Sequence, residues 1–458
     1  MTTNQKDSIT EPRPMTMGEA YTYQSDGGNN VITEGSPEML LKNNLCLMEE
    51  ILSRDNLEAA HKAVLDNKGS PGIDGMTVYQ LKNHLYAVWP EMKKQLLTGS
   101  YRPQPVKRIE IPKTGGGKRM LGIPTVTDRF IQQAVNQVLQ RYVDPTFSEH
   151  SYGFRPNRSA IGAIKKSKGY VEAGYDVVVD IDLEKFFDRV NHDKLMSELF
   201  KRIGDHRVLK LIRSCLNAGA TQYGLFAETT EGTVQGSPLS PLLSNIMLDL
   251  LDKELEVRGH KFVRYADDCN VYVRTQKAGN RVMESLKDFI TRKLKLKVNE
   301  DKRAVDKANK RKFLGFIMRR MRDQWKIGMS PQSLAKVKDR IREITAMNRG
   351  ISMNDMLRHL RSYLGGWLGY YGHIETPTVL RDLDSWIRRR LRCYQLHQWG
   401  KGKGTYKALK SLGASHEDAW MTCGSSKGLW RVSQSRTAHQ YLNNKLLQQM
   451  GYVPLYRS

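Results

Sequence analysis

The stretch Lys261–Val273 constrains the possible fold of this chain most, because two short β-prone runs flank an acidic tip. The pattern predicts a strand, a tight turn that carries Asp267 and Asp268, and a returning strand. Adjacent carboxylates repel each other, and the repulsion grows as water is removed unless a cation lies between them. Mg²⁺ suits such oxygen ligands best. Adjacent acids are also common in solvated turns, so the stretch alone leaves both interpretations open.

A large excess of positive charge narrows the class of partner. Lysine and arginine number 73 against 48 acidic residues, which gives a formal net charge of +25. A polyanion partner follows, either nucleic acid or an anionic membrane. Nucleic acid is favoured, because no apolar run approaches the ~20 residues that span a bilayer, and the chain does not start with a signal peptide. The 5 cysteines form no C-x-x-C pair, so neither a zinc knuckle nor a disulfide framework is indicated, and a reducing, intracellular setting fits.

A second acidic strand is predicted at residues 176–182. With a period of two, Asp180 and Asp182 share one face of this strand, where carboxylates are costly unless they hold a cation. This argument does not separate the two acids. Asp188 and His192 follow at the start of a helix, and capping that helix is the simplest role for them.

Other segments combine polar chemistry with turns. Residues 105–124 predict a β-hairpin with a glycine tip and cations on both strands, either a solvated edge or a grip on phosphates. Residues 151–159 mix aromatic and arginine side chains suited to bases and phosphates. The loop at residues 233–242 leads into a helix and offers free amides. The arginines of residues 388–392, at the predicted end of a helix, favour a polyanion groove.

Elsewhere the periodicity is simpler. Residues 40–52 and about 57–65 predict helices, and residues 312–317 predict a strand. From Ser330 onward, three capped amphipathic helices are predicted.

These segments together resemble the palm of a reverse transcriptase. Residues 265–268 match its Y-x-D-D box, and residues 182–188 match its D-x-x-x-F-F-D segment. The resemblance then narrows to the group II intron reverse transcriptases and the maturase domain that follows them. It is carried by residues 69–75, 111–124, 153–159, 313–316 and 363–372.

The resemblance implies an α+β right-hand polymerase, with fingers and a palm built on antiparallel sheet, then an α-helical thumb/maturase domain and a small basic C-terminal region. After about residue 400 only Cys423 remains among the cysteines, so the chain resembles the short bacterial type that lacks an endonuclease domain. The expected divisions are a flexible leader (1–36), an N-terminal extension with fingers (37–170), a palm (171–328), a thumb (329–400) and a DNA-binding region (401–458).

The resemblance also implies roles for single residues. Asp182 is selected over Asp180 by its spacing to Phe187 and Asp188. Lys302 could donate a proton to pyrophosphate, although a solvated charge is the simpler interpretation. The implied nucleotide-binding residues are Lys113, Arg119, Phe187, Gln235 and Leu183. Among them, Phe187 would exclude a nucleotide that carries a 2′-hydroxyl. The implied ligands of two Mg²⁺ ions are Asp182, Asp267, Asp268 and the backbone carbonyl of Leu183.

The implied function is that of an RNA-directed DNA polymerase that binds its intron RNA, assists splicing and copies the intron into DNA during retrohoming. Its expected partners are intron RNA, an RNA template with a DNA or RNA primer, target DNA and deoxynucleoside triphosphates. We expect a bacterial cytoplasmic protein, nucleoid-associated when bound to DNA, and leave monomer or dimer open. The alternatives are a retron-like or defence-associated reverse transcriptase and a non-enzymatic RNA-binding splicing factor.

Overall fold

A computed structural model describes residues 41–112, 118–222, 225–228, 231–301 and 303–456. They form two compact units, one with the residues up to Tyr170 and Tyr175–Asp306, the other with Val171–Gly174 and the residues from Lys307 onward. The predicted leader, the tip of the basic hairpin with Lys113, and Lys302 lie outside the described residues.

The first unit alternates helices with short strands. Its helices are α1 (Leu47–Ile51), α2 (Arg54–Asn67), α3 (Leu81–Thr98), α4 (Val126–Val143), α5 (Ala160–Glu172), α6 (Phe186–Arg189), α7 (His192–Arg202), α8 (His206–Leu216), α9 (Ser240–Val257) and α10 (Gln276–Phe289). Its strands are β1 (Val106–Pro112), β2 (Lys118–Ile123), β3 (Val177–Ile181), β4 (Ala220–Gln222), β5 (Leu225–Ala227), β6 (Lys261–Tyr265), β7 (Asp268–Val273) and β8 (Ala304–Lys307), the last of which reaches the boundary with the second unit.

A four-stranded sheet in the order β6–β7–β3–β8 forms the centre of this unit. β7 pairs antiparallel with both β3 and β6, so the acidic hairpin and the acidic strand predicted from the sequence are confirmed as neighbours. The β-branched residues of β3 are buried, as expected for a strand covered on both faces. Val177, Val179 and Ile181 share one face, and a slip by one residue would move Asp180 onto that apolar face, so the pattern fixes the register.

A second sheet, in the order β2–β1–β4–β5, contains the basic hairpin. β1 and β2 pair antiparallel with Pro112 opposite Lys118, which confirms the predicted hairpin. A cavity of about 760 Å³ lies against this sheet and is lined in part by Ile73, Lys107 and Arg108.

One apolar core joins the helices of the first unit to the central sheet. Both α4 and α9 bury most of their length in it, including Val138 and Ile246. Each fully buried aliphatic side chain contributes about 1.5–3 kcal/mol relative to exposure. These two helices therefore form a rigid support for the loops that precede them.

The second unit has a three-stranded sheet, β11–β10–β9, followed by helices. Its elements are β9 (Lys312–Phe313), β10 (Phe316–Met321), β11 (Gln324–Met329), α11 (Pro331–Ile344), α12 (Met353–Tyr371), α13 (Pro377–Trp399), α14 (Lys403–Ser411), α15 (His416–Cys423), α16 (Leu429–Val432), α17 (Arg436–Tyr441) and α18 (Asn444–Gln449). Ser330 and Ser352 cap α11 and α12 as predicted, each accepting a bond from the backbone amide three residues on.

Two predictions of secondary structure are wrong. Residues 312–317 do not form one strand, because Leu314 and Gly315 adopt φ values of 50° and 83° and reverse the chain between β9 and β10. Residues 40–52 do not form one helix where they are described. The Asn44 side chain accepts a bond from the Cys46 amide, which breaks the helix and leaves Leu45 exposed.

The arginine cluster at residues 388–392, from which a polyanion groove was predicted, does not lie at the end of a helix. It lies inside α13, which continues to Trp399, and its guanidinium groups bind the protein itself. Arg390 donates to Thr345, Arg392 donates to the carbonyl of Leu442, and Arg389 lies over the ring of Trp430. Arg388 forms an ion pair with Asp384. The cluster therefore holds helices together.

Among the described helices, none is long and apolar enough to cross a membrane.

Candidate active site

The strand register brings the predicted acids of two distant segments together. In the β3–β7 pair, Asp180 is opposite Asn270 and Ile181 is opposite Cys269. Continuing the register by one residue places Asp182 opposite Asp268, and opposed residues of antiparallel strands have Cβ atoms about 4.5–5.5 Å apart. Asp182 thus meets the tip of the β6–β7 hairpin, where Asp267 is the second residue of the turn.

Asp182 is held by a residue that the sequence analysis did not assign. Asn299 donates from its side chain to the Asp182 carboxylate at 2.9 Å and from its backbone to the Asp182 carbonyl at 2.8 Å. The backbone bonds flank an isolated bridge between Leu183 and Val298. In the first of these bonds Asn299 donates to the Asp182 carbonyl, and in the second Glu184 donates to the Lys297 carbonyl. The carbonyl of Leu183 takes part in neither bond and points away from this bridge. The sequence pattern did not identify Asn299 as a partner of Asp182; its only distinguishing feature was an amide side chain three residues before Lys302.

The turn between β6 and β7 has an unusual backbone. Ala266, its first residue, has a φ of 55°, the left-handed region that costs a non-glycine residue about 1–2 kcal/mol. Arg264 donates to the Ala266 carbonyl at 2.9 Å and is fully buried beneath the turn. Burial alone would lower the pKa of Arg264, but the carboxylate of Asp252 more than offsets that, and its pKa is raised.

Gly153 packs directly against the same turn. A Cβ atom at this position would lie 2.2 Å from the backbone nitrogen of Ala266. Asn245, on α9, donates to the Gly153 carbonyl at 2.9 Å and so fixes this approach. The acidic turn is therefore enclosed by backbone from one side and by α9 from below.

Phe187 and Gln235 belong to two segments that cross. The Phe187 carbonyl accepts a bond from the Thr233 amide at 2.5 Å, and the Val190 carbonyl accepts one from Gly232 at 2.8 Å. The carbonyl of Gln235 accepts a bond from the amide of Gly122. The loop with Gln235 thus joins the Phe187 segment to β2. Phe187 and Gln235, both predicted to bind the nucleotide, therefore lie on segments that are linked by backbone hydrogen bonds.

Arg119 lies on β2 with an exposed side chain, paired in register with Ile111. Lys113, also assigned to the triphosphate, is outside the described residues, and so is Lys302.

Two expectations about polar residues near the site are wrong. Arg155 does not reach for a phosphate: it is buried, paired with Asp144 at 2.8 Å and bonded to the Ser148 carbonyl. The cap of α7 is Asn191, not His192, which is buried and bonded to the Gly232 carbonyl at 2.6 Å. Both side chains hold the loops around the site.

The donor set fits a magnesium ion by its chemistry. Carboxylates of Asp182, Asp267 and Asp268 and the carbonyl of Leu183 are the hard oxygen ligands that Mg²⁺ prefers. Among the residues that the structure describes, no three His, Cys, Asp or Glu side chains are grouped as a ready-made metal site. The strand ends bring the residues together, and the structure does not show their side chains arranged around one point.

Asp249, one turn before Asp252 on α9, is a buried acid with an unusual titration. Burial, and then the charge of Asp252, raise its pKa to about 6, although Arg202 contacts it at 3.0 Å. Because the folded pKa lies above the unfolded value of 3.8, folding favours the protonated form, and stability falls as the pH rises from about 4 to 6.

We expect this group to remove about 2 kcal/mol from the free energy of unfolding between pH 4 and pH 7. Denaturant unfolding of the wild type and of Asp249→Asn at both pH values measures this contribution. The variant should gain stability relative to the wild type as the pH rises. A difference between the two proteins that does not change with pH would contradict the assignment.

Comparison with known proteins identifies this arrangement. Residues 111–318 match the family model described as reverse transcriptase (RNA-dependent DNA polymerase). Residues 334–413 match the group II intron, maturase-specific domain. Protein YkfC of Escherichia coli (strain K12) is 32% identical over 61% of this chain and 84% of its own length. The chain belongs to the group II intron reverse transcriptases.

Two further relatives of this reverse transcriptase carry intron names. The group II intron-encoded protein LtrA of Lactococcus lactis subsp. cremoris is 30% identical over 58% of this chain and 53% of that protein. The putative COX1/OXI3 intron 2 protein of Saccharomyces cerevisiae is 30% identical over 71% of this chain and 38% of that protein. The chain therefore spans about half, or less, of the length of these two relatives.

The comparisons bear out the expected polymerase fold and enzyme class. This reverse transcriptase is an RNA-directed DNA polymerase with an α+β polymerase region and a helical C-terminal region. Reverse transcriptases generally use Mg²⁺ for catalysis. The reverse transcriptase and maturase domains imply nucleic acid partners for this chain. The maturase match includes the block at residues 363–372, so a retron-like enzyme is not favoured. The reverse transcriptase match at residues 111–318 likewise does not favour a non-enzymatic splicing factor.

Proposed function

We propose that this chain copies the group II intron RNA that encodes it into DNA, and that it also binds this RNA and assists its splicing. One observation carries the catalytic part: the β3–β7 register, which leads Asp182 to the end of the hairpin that holds Asp267 and Asp268. A site that had lost its reaction would have no reason to keep like charges at neighbouring strand ends.

In this proposal Asp182, Asp267 and Asp268, with the Leu183 carbonyl, hold two Mg²⁺ ions. The ions would supply a stronger 3′-hydroxyl nucleophile and stabilise the leaving pyrophosphate. The strained turn at Ala266 keeps the two hairpin carboxylates at the strand end, and Asn299 restrains the Asp182 carboxylate. The chain thereby orients its acids before the substrate arrives.

The incoming nucleotide would lie between the acids and the basic hairpin. Arg119, exposed on β2, and Lys113 would neutralise the triphosphate with fixed positive charge. Gln235 would contact the nucleotide or the template, because its loop lies between β2 and the Phe187 segment. A magnesium-bound nucleotide would thus meet protein groups that need little movement during the reaction.

Phe187 would exclude ribonucleotides by pressing on the sugar. Its backbone carbonyl is bonded to Thr233, so truncating the side chain leaves the local backbone anchored. We expect Phe187→Ala to raise the incorporation of ribonucleotides relative to deoxynucleotides by on the order of tenfold or more. Single-nucleotide incorporation with each nucleotide type measures this ratio.

Phe200→Ala is the matched control for Phe187→Ala. Phe200 is an exposed phenylalanine on α7, and its removal should leave the ratio unchanged. A Phe187→Ala protein that is active and as selective as the wild type would rule out the assigned role.

The RNA-binding part of the proposal rests on charge and on the maturase match. A net charge of +25 suits structured RNA, which is read mostly by its shape and backbone. The test is splicing of the intron RNA that flanks the gene, with and without the protein, at Mg²⁺ too low for self-splicing. Faster splicing only with protein is expected, and no acceleration would contradict the maturase role. We propose the bacterial cytoplasm as the site of action, with the nucleoid during DNA binding.

A further inference from the structure

We propose that Arg264 is a positioning residue of the polymerase site, which sets the placement of the turn that carries Asp267 and Asp268. The inference rests on the proposed catalytic role of these acids. Arg264 touches none of the reacting groups in this account. It acts through the backbone of Ala266, the residue immediately before Asp267.

The guanidinium of Arg264 uses every one of its N–H groups. Nε donates to the Asp252 carboxylate at 2.8 and 3.0 Å. Nη1 donates to Asn245 at 3.0 Å and to the Ala266 carbonyl at 2.9 Å. Nη2 donates to Ser151 at 2.8 Å and to Asp252 at 2.5 Å. One fully buried side chain thus connects three separate segments of the first unit.

These bonds tie the turn to rigid neighbours on two sides. Asn245 and Asp252 project from α9, whose apolar face is part of the main core. Ser151 belongs to a segment that runs beside β6, where Tyr152 donates to the Arg264 carbonyl and Arg264 donates to the His150 carbonyl. The next residue but one along this segment, Gly153, contacts the backbone of Ala266. Arg264 therefore fixes the position of the acidic turn relative to the loop with Ser151 and Gly153 that packs against it.

Only arginine supplies this set of bonds. The planar guanidinium offers five donors in a fixed fork, whereas a lysine ammonium offers three from a single point. A lysine at position 264 could keep the charge pair with Asp252, but it could not reach Asp252, Asn245, Ser151 and the Ala266 carbonyl together. The carbonyl of a left-handed residue would then lose the donor that restrains it.

A second buried pair on the same helix separates positioning from simple stability. Arg202 contacts Asp249 at 3.0 Å, one turn of α9 before Asp252, and Asp249 is as buried as Asp252. Arg202 donates to Glu198 and Asp249 and has no bond to the acidic turn. Arg202→Lys is therefore a matched control for Arg264→Lys.

The experiment compares the wild type with Arg264→Lys, Asn245→Ser and Arg202→Lys in the full chain. Single-turnover incorporation of one deoxynucleotide on an RNA template is measured across a Mg²⁺ series, and melting temperatures are recorded. A second readout needs no turnover: formation of the stalled complex on a dideoxy-terminated primer, followed by gel shift as Mg²⁺ and the next deoxynucleotide are varied. Asn245→Ser keeps the Arg264–Asp252 pair but also removes the bond to the Gly153 carbonyl. A further variant, Ser151→Ala, removes a hydroxyl that accepts from Arg264, and it supplies the test if Arg264→Lys does not fold.

We expect Arg264→Lys to lower the maximal rate at least tenfold and to raise the Mg²⁺ needed for half-maximal rate and for the stalled complex at least threefold. Asn245→Ser and Ser151→Ala should show the same pattern with smaller changes, and Arg202→Lys should lower the melting temperature alone. Folded variants of Arg264 and Asn245 with the wild-type rate and Mg²⁺ requirement would overturn the inference. An inactive wild type would instead overturn the proposed function, so the two failures are distinguishable.

Discussion

Replacing Asp182 with asparagine is expected to lower the rate of DNA synthesis about a thousandfold or more, while Asp180→Asn should retain most of the wild-type rate. The loss corresponds to several kcal/mol of stabilisation of the charge that develops on the reacting phosphate. Asp182 follows the last residue of β3 and meets the hairpin tip, whereas Asp180 lies inside the strand pair, opposite the buried Asn270. Two residues along a strand separate them by about 7 Å.

Single-nucleotide incorporation under single-turnover conditions measures both variants. Each is a charge-removing change of nearly constant volume on the same face of one strand, so Asp180→Asn controls for general effects on the sheet. Retained synthesis in Asp182→Asn would refute the assignment. Equal losses in both variants would mean that the strand end does not distinguish the two acids.

Replacing Gly153 with alanine is expected to reduce DNA synthesis at least about a hundredfold. The added Cβ would lie 2.2 Å from the nitrogen and 3.0 Å from the Cα of Ala266. These are backbone atoms, so no side-chain rotation relieves the overlap, and the turn with Asp267 must move. A 1 Å misplacement of a catalytic group is enough for a loss of about this size.

Gly169→Ala is the matched control for Gly153→Ala. Gly169 lies inside α5, where a Cβ would meet nothing within 4 Å, and alanine should stabilise the helix by about 1 kcal/mol. We expect Gly169→Ala to be fully active and at least as stable as the wild type. A folded Gly153→Ala protein that copies RNA at the wild-type rate would show that the loop does not restrain the acidic turn.

The local pattern of the sequence predicted the elements that carry the acids. Alternation and β-branched residues gave the strands on both sides of Asp267 and Asp268, and the buried valines before Asp182 gave a third strand. Alternation alone did not choose between Asp180 and Asp182, because both lie on one face of the strand. The pairing of β3 with β7 distinguishes them, since it fixes which acid meets the hairpin tip.

Arginines were the residues that local pattern described worst. Arg155, Arg264 and Arg392 look alike in a basic chain, and the excess of positive charge suggested surfaces for polyanions. All three are buried and bonded to carboxylate or carbonyl groups. Arg155 pairs with Asp144, Arg264 with Asp252 and Arg392 with Leu442, which lie 11, 12 and 50 residues away in the sequence, so the pairing depends on tertiary structure. The turn at Leu314 was missed for a related reason, because an apolar run does not reveal a change in backbone φ.

The central claim is that the acids at the ends of β3 and the β6–β7 hairpin form a polymerase site. Extension of a DNA primer on an RNA template by the purified chain, with deoxynucleoside triphosphates and Mg²⁺, tests it most directly. We predict full-length DNA that is lost when Mg²⁺ is omitted and when Asp267 and Asp268 are both changed to asparagine. A chain that binds the primer and template but yields no product under any Mg²⁺ concentration would contradict this account and favour an RNA-binding splicing factor.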